Sequence, residues 1–159
     1  MSNIQYEHPI MQEYTLLVPI TLNGETALVL KNRPSFLAGK WNFIGGKVEE
    51  GEDPAVAALR EYAEETDVNI ILAPAKGYTK LATIEGTGYR VHVFAIIADY
   101  MEVNGVKTMT DEFVKAFPIS EVMRMAVKDP AWLNVDLIYL LSMARVALFD
   151  SKISAVIIK

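Results

Sequence analysis

The sequence predicts an α/β (α+β) sandwich, a mixed β-sheet carrying helices on both of its sides. Three observations point to it. Runs rich in Val, Ile, Thr and aromatic residues recur near 14–22, 26–31, 78–85 and 89–99, bounded by Gly, Pro, Asn or Asp. One segment with helical spacing, 54–66, stands among them, and two more follow the last strand candidate. The chain has 159 residues, of which 52% are hydrophobic, enough for one domain with a substantial core.

The elements follow in order. Residues 1–11 read as a loose lead-in. Strands are predicted over 14–22 and 26–31, and Asn23-Gly24 between them is a hairpin turn signal. Pro34 and Gly39 mark a loop before a short strand at 41–44. Asp53 is a natural N-cap and Pro54 a natural first residue for the helix over 54–66. Pro74 and Gly77 interrupt the chain before a strand at 78–85. Glu85-Gly86-Thr87-Gly88 turns it into the long strand at 89–99. Asn104-Gly105 reads as a further turn, and 114–117 as a last strand. Ser120 is placed to cap a helix through Val127. Asp129-Pro130 breaks that helix, and Asn134 or Asp136 opens a final one to about Phe149. The tail at 153–158 alternates weakly and suits an added strand or a homodimer contact.

The helix over 54–66 carries the chemistry. Glu61, Glu64 and Glu65 stand at i, i+3 and i+4, on one face. Like charges so placed destabilise a helix by about 0.2–0.5 kcal/mol per pair. Arg60 is the only cation between Asp53 and Val68. A solvated acidic face is the plain reading; a bound cation is the informative one. With no Cys or His in the set, the donors are oxygens, which suit a hard ion, Mg²⁺ or Mn²⁺. Ala55, Ala58, Leu59, Tyr62 and Thr66 form a second stripe that can pack on a sheet and leave the carboxylates open.

Read with its flanks, this segment resembles the Nudix box, Gly-x5-Glu-x7-Arg-Glu-U-x-Glu-Glu-x-Gly-U, with U aliphatic. Gly46, Glu52, Arg60, Glu61, Glu64 and Glu65 fall on the fixed positions, and Val68 on the last aliphatic one. At about 1 in 15 per position, six agreements arise by chance on the order of once in 10⁷ starts. Asp67 stands where the family has Gly, Tyr62 replaces an aliphatic residue, and Ile44 stands where many members have Pro. No carboxylate is lost by these departures.

The resemblance implies a Nudix-type α/β/α sandwich and a single Nudix domain over 1–159, with 150–159 as a C-terminal tail. It implies metal binding by Glu61, Glu64 and Glu65, joined by a backbone carbonyl of Gly45 or Gly46. Glu52 and Arg60 would pair and orient loop and helix. The general base stays open among Glu64, Glu65 and Glu112, the last from the Thr110-Asp111-Glu112 loop. For substrate, Arg33, Lys40 and Lys47 could meet phosphates, and Trp41, Phe36 and Tyr89 could stack on a base or simply pack. His92, between two valines in a strand, reads as a structural histidine.

Composition bounds the function. The net charge of −5 disfavours a nucleic-acid-binding surface. The absence of Cys excludes disulfides, thiolate catalysis and Cys-based zinc sites. The N-terminus lacks the features of a signal peptide. The longest apolar run, 137–149, is too short to span a membrane and contains Arg145, so a soluble cytoplasmic protein is expected. The expected activity is metal-dependent hydrolysis of a nucleoside diphosphate linked to another group. About 45 residues precede the box, and position 82–84 reads Ala-Thr-Ile without the Pro of many ADP-ribose hydrolases. This compact plan resembles MutT-like members and favours a nucleoside triphosphate, cleaved to NMP and pyrophosphate. ADP-ribose or a nucleotide sugar is the alternative substrate, and a non-catalytic nucleotide sensor the alternative class.

Overall fold

The computed structural model describes residues 11–74 and 76–150. Strand β1 (Gln12–Thr21) lies at the centre and explains much of the rest. Its ten residues pair in parallel with β6 (Tyr89–Ala98), from Gln12 opposite Tyr89 to Thr21 opposite Ala98. On its other edge β1 meets β4 (Ile44–Lys47) antiparallel, and β5 (Tyr78–Gly86) completes the sheet in the order β4-β1-β6-β5. One parallel and two antiparallel ladders make it a mixed sheet, as expected.

β2 (Glu25–Leu30) belongs elsewhere. The Asn23-Gly24 turn forms, with Gly24 at φ 79° and its N–H bonded to the Thr21 carbonyl at 3.0 Å. The expected hairpin does not. Both edges of β1 are already taken, so β2 pairs antiparallel with β3 (Trp41–Asn42) and β7 (Val114–Pro118) in a second sheet of three strands. The strand expected at 41–44 is correspondingly divided between the two sheets.

Alternate residues of the central strands feed two cores, because successive side chains of a strand face opposite sides. Leu17, Phe94 and Ile96 pack under helix α1 (Pro54–Thr66) with Ile44 and Tyr62. Val18, Ile20 and Val93 pack with Phe117, Leu137 and Leu141 on the opposite side. That side is covered by α3 (Ile119–Lys128) and α4 (Leu137–Arg145), which gives the helix–sheet–helix layering.

Three boundaries differ from the sequence reading. The Asn104-Gly105 turn closes a short helix, α2 (Tyr100–Asn104), whose first turn is tied down when Glu102 accepts the Asp99 N–H at 2.8 Å. Ser120 lies inside α3; the residue before the helix is Pro118, so no hydroxyl cap is made. α4 ends at Arg145, and Val146–Asp150 continues as a wider turn of π-helix. Of the lead-in only Met11, and of the tail only Asp150, lie among the described residues, so the tail's expected strand or dimer role lies outside them. Among the described residues, no helix is long and apolar enough to cross a membrane.

Candidate functional site

α1 begins and ends as its sequence dictates. The Asp53 carboxylate accepts the Ala55 N–H at 2.7 Å, and Pro54 occupies the first turn. Asp67 closes the helix in the left-handed conformation, φ 58° and ψ 25°, and its N–H bonds the Ala63 carbonyl. Ala57, Ala58, Tyr62 and Thr66 are buried, and the Tyr62 hydroxyl donates to the Glu102 carbonyl at 2.7 Å. A buried large side chain stabilises by roughly 1.5–3 kcal/mol, so this stripe anchors the helix along one side. The side next to it carries the acids.

β4 runs beneath that side, and its two glycines are required for different reasons. A methyl group on Gly45 would meet the backbone of Thr15 and Leu16 in β1, within 2.9 Å of the Leu16 Cα. A methyl group on Gly46 would meet the Glu61 carboxylate, 2.7 Å from Oε1 and closer still to Oε2 and Cδ. Gly46 therefore leaves the room in which the Glu61 carboxylate sits.

Arg60 organises the acids. Its Nε and Nη2 donate to the two oxygens of Glu52 at 2.8 and 2.9 Å, a two-point pairing that fixes the guanidinium plane. Nη2 also donates to the Lys47 carbonyl at 2.9 Å, which ties the box loop to the helix. Nη1 donates to Glu61 at 3.0 Å and to Glu64 at 3.2 Å. The guanidinium and the Glu49 N–H hold the Glu52 carboxyl down at about 2. Glu61 goes the other way: burial pushes its carboxyl above the usual range, against the pull of Arg60. Burial also raises Glu65, against the hydrogen bond from Thr110.

Glu65 points away from Arg60, towards the loop before β7, and accepts the Thr110 hydroxyl at 3.2 Å. Glu112, a candidate general base by the resemblance, is 4% exposed and bonded through both oxygens. It takes the Lys31 ammonium at 2.6 Å on Oε1 and the Asn32 N–H at 2.6 Å on Oε2.

The three box acids thus share one face but not one point. Among the described residues, no group of three or more Asp, Glu or His side chains is already gathered around a cation position. The donor set nevertheless fits a hard divalent ion. Its donors are all carboxylate oxygens, and Glu61 and Glu64 already share the cationic Nη1 of Arg60, with Glu64 60% exposed.

Beside this face opens a cleft of about 460 Å³, floored in part by Gly45 and Gly46. Its lining is mainly apolar, as small-molecule sites are. Tyr89 and Phe36 line it, as the sequence suggested; Lys31, Asn42, Asn134 and Asp136 do so without having been singled out. Asn42 uses Oδ1 to accept the Phe43 N–H at 2.9 Å and the Asn134 amide at 3.3 Å. Arg33, Lys40, Trp41 and Lys47 are not in the lining. Arg33 instead forks onto Asp111 at 3.0 and 3.2 Å, and the Trp41 ring packs edge-on against Phe117, 4.8 Å between centroids. His92 is structural, bonded to Glu13 and Lys80 at 2.9 Å each. The 460 Å³ cleft reaches the box through Gly45 and Gly46, and no box acid is in its lining; a second opening, about 710 Å³ and lined by Leu22, Ile71, Ile97 and Tyr100 among others, includes neither the box acids nor the two glycines. The missed cleft residues had no sequence signal of their own: Lys31, Asn42 and Asn134 lie far apart in the chain and meet through the Trp41 to Asn134 backbone bond of 2.9 Å and the pairing of β2 with β3.

Comparison with known proteins decides the family. The NUDIX domain model matches residues 12–137. The chain belongs to the NUDIX domain family. The match begins at β1 and ends at the first residue of α4, so it takes in both sheets and the box helix of this NUDIX domain. Among similar proteins, the oxidized purine nucleoside triphosphate hydrolase of Mus musculus is 32% identical over 100 residues, 62% of this chain and 60% of that one. The protein of the same description from Danio rerio is 39% identical over 79 residues, 49% of this chain and 50% of its own length. The RNA pyrophosphohydrolase of Roseobacter denitrificans is 41% identical over 59 residues, 37% of each. The chain thus spans about half to three fifths of the length of the first two relatives. A solved structure from work on MutT of Aliivibrio salmonicida and Vibrio cholerae superposes with a TM-score of 0.60 at 16% identity. It covers 83% of this chain and 98% of its own, and establishes the NUDIX fold by shape alone.

Proposed function

We propose that this NUDIX protein is a divalent-metal-dependent hydrolase that cleaves a nucleoside triphosphate to the monophosphate and pyrophosphate. The observation that carries the proposal is the acidic helix face of Glu61, Glu64 and Glu65, whose Glu61 carboxylate lies against Gly46, a residue that also lines an apolar cleft. Two relatives described as oxidized purine nucleoside triphosphate hydrolases support this substrate class.

Glu61, Glu64 and Glu65 would hold Mg²⁺, or Mn²⁺ in its place, with a backbone carbonyl of Gly45 or Gly46. The bound ion supplies charge neutralisation on the phosphates and a more acidic water. Arg60, clamped by Glu52, holds the box loop against the helix and keeps Glu61 turned towards Gly46. Phe36 and Tyr89 offer faces for a base, and the Asn42 Nδ2 group, not used in the bonds that hold its Oδ1, offers a donor to the base edge. Lys31 is the cation that reaches the cleft and so a candidate phosphate contact. In the reaction a water oxygen bonds to phosphorus, the P–O bond to the pyrophosphate leaving group breaks, and the water proton passes to a carboxylate. We assign that carboxylate to Glu64 or Glu65. Glu112, with both oxygens engaged, serves as an anchor of its loop.

The test is product analysis with Mg²⁺ over (d)NTPs, 8-oxo-dGTP, ADP-ribose, nucleotide sugars and dinucleoside polyphosphates, with Glu64→Gln as the control. NMP and pyrophosphate from a triphosphate, lost in the variant, are expected. AMP and ribose phosphate from ADP-ribose would overturn the substrate assignment, and nucleotide binding without any product would replace the enzyme with a sensor.

A further inference from the structure

We infer that Thr110 is a positioning residue for Glu65, and that the buried Glu112 exists to hold Thr110 there. The inference rests on the hydrolase reading only through the role given to Glu65 as a cation ligand.

The geometry fixes the direction of each bond. The Thr110 hydroxyl has one proton. Glu65 Oε2, 3.2 Å away, can only accept it, and the Glu112 N–H, 3.1 Å away, can only donate to the same oxygen. Both bonds are therefore made at once, and the hydroxyl is oriented before any ligand arrives. The backbone carrying Thr110 is oriented in turn. Two residues on, the Glu112 side chain is sealed at 4% exposure by the Lys31 ammonium and the Asn32 N–H, the two residues that follow β2. The Leu30 N–H bonds the Phe113 carbonyl at 2.8 Å, closing the same join from the backbone. A continuous line of bonds thus runs from β2 through Glu112 and Thr110 to the carboxylate of Glu65.

Glu65 needs such support more than its neighbours do. Glu61 is held by Arg60 and by the space over Gly46, and Glu64 by Arg60. Glu65 has no bond from Arg60 among those the guanidinium makes, and Thr110 supplies its hydrogen bond. Partners of this kind, once removed, reduce metal affinity by about 10–100-fold in metalloproteins generally.

The experiment titrates Mn²⁺ against the substrate-free protein, following free Mn²⁺ by EPR, for wild type, Thr110→Val and Thr110→Ser. Steady-state kcat and KM for the triphosphate and the melting temperature are measured alongside. Valine keeps the shape and removes the hydroxyl; serine restores it. Thr110→Val is expected to weaken Mn²⁺ binding about 10-fold and lower kcat more than it raises KM, and Thr110→Ser to stay within about twofold of wild type, with melting unchanged in both. Equal Mn²⁺ affinity in the valine variant and wild type would overturn the assignment. So would equal loss in both variants with a fall in melting temperature, which would make Thr110 a structural residue only. If no nucleotide is turned over by wild type while the valine variant still binds Mn²⁺ more weakly and serine restores it, the hydrolase reading fails and the positioning role stands.

Discussion

Gly45 and Gly46 are adjacent, yet a methyl group on each should do opposite things. On Gly46 the nearest atoms it meets are the far end of one side chain, the Glu61 carboxylate, 2.7 Å from Oε1 and nearer to Cδ and Oε2. The side chain can swing away. Doing so breaks its 3.0 Å bond to Arg60, but Arg60 keeps both bonds to Glu52 and its bond to the Lys47 carbonyl. The stability cost of Gly46→Ala should be about 1–2 kcal/mol, the sum of a strained rotamer and one exchanged hydrogen bond. The site should lose far more, because Glu61 leaves its place among the acids: at least about 10-fold in Mn²⁺ affinity, and turnover with it. On Gly45 the methyl group meets backbone, the carbonyl of Thr15 and the Cα of Leu16, which cannot swing. The four-residue ladder of β1 and β4 must part, at a cost of about 3 kcal/mol or more. Urea unfolding and Mn²⁺ titration on the two variants separate the effects. Wild-type Mn²⁺ affinity and turnover in Gly46→Ala would refute the reasoning, as would a loss of stability in that variant equal to that of Gly45→Ala.

Further outcomes follow from other contacts. The Glu52 carboxyl is lowered from its ordinary 4.5 to about 2, so the stability it contributes is fully present above about 4.5 and is lost as pH falls through about 2. Glu52→Gln should flatten the stability–pH curve in that interval, measured by urea midpoints; an unchanged curve would remove Glu52 from the account. Glu61 is shifted upward by burial, so its charge opposes folding above its folded pKa and the penalty is relieved as pH falls. Glu61→Gln should then melt at or above the wild-type temperature at neutral pH while binding Mn²⁺ poorly, and a large fall in melting would contradict this. Asp67→Ala should cost about 1 kcal/mol because Ala tolerates φ 58° less well than Asp; Asp67→Gly should be neutral or slightly stabilising, and the reverse order in thermal melts would argue against strain at this cap. Tyr62→Phe strands the Glu102 carbonyl and should cost about 1–2 kcal/mol with Mn²⁺ binding unaltered.

What could be read from the sequence was local. Helix α1 begins at Pro54 and ends at Thr66, where its cap, its first-turn Pro and its packing stripe put it. The strands at 78–85 and 89–99 recur as β5 and β6 within a residue at each end. α2 was legible and overlooked: Asp99 followed three residues later by Glu102 is a helix-start pattern, and the Asn-Gly that follows was read as a turn in its own right. The fate of the Asn23-Gly24 turn was not legible. A turn signal fixes a change of direction, whereas pairing depends on which strands from elsewhere already occupy the edges of β1.

The same division runs through the site, and it explains why a motif reads well and a cleft badly. The box residues lie within twenty positions of one another, and their pairings are consequences of helical spacing plus one loop closure, Glu52 to Arg60. Their legibility reflects short sequence separation. Asn42 and Asn134 are bonded although separated by 92 positions, and Lys31 and Glu112 by 81. Each of those residues taken alone reads as an ordinary exposed side chain, because an isolated Asn, Lys or Glu is usually exposed. Only the second sheet, which sets β3 and β7 on either side of β2, makes them neighbours of the box. In the proposed enzyme the box acids would then supply the chemistry, while the choice of substrate would rest on residues that the fold alone assembles. Substitutions at Asn42 or Asn134 should therefore change which nucleotide is preferred without altering Mn²⁺ affinity, and substitutions at Glu61 the reverse. A variant of Asn134 that lost Mn²⁺ binding while keeping its substrate order would show that the cleft and the acidic face are not separable in this way.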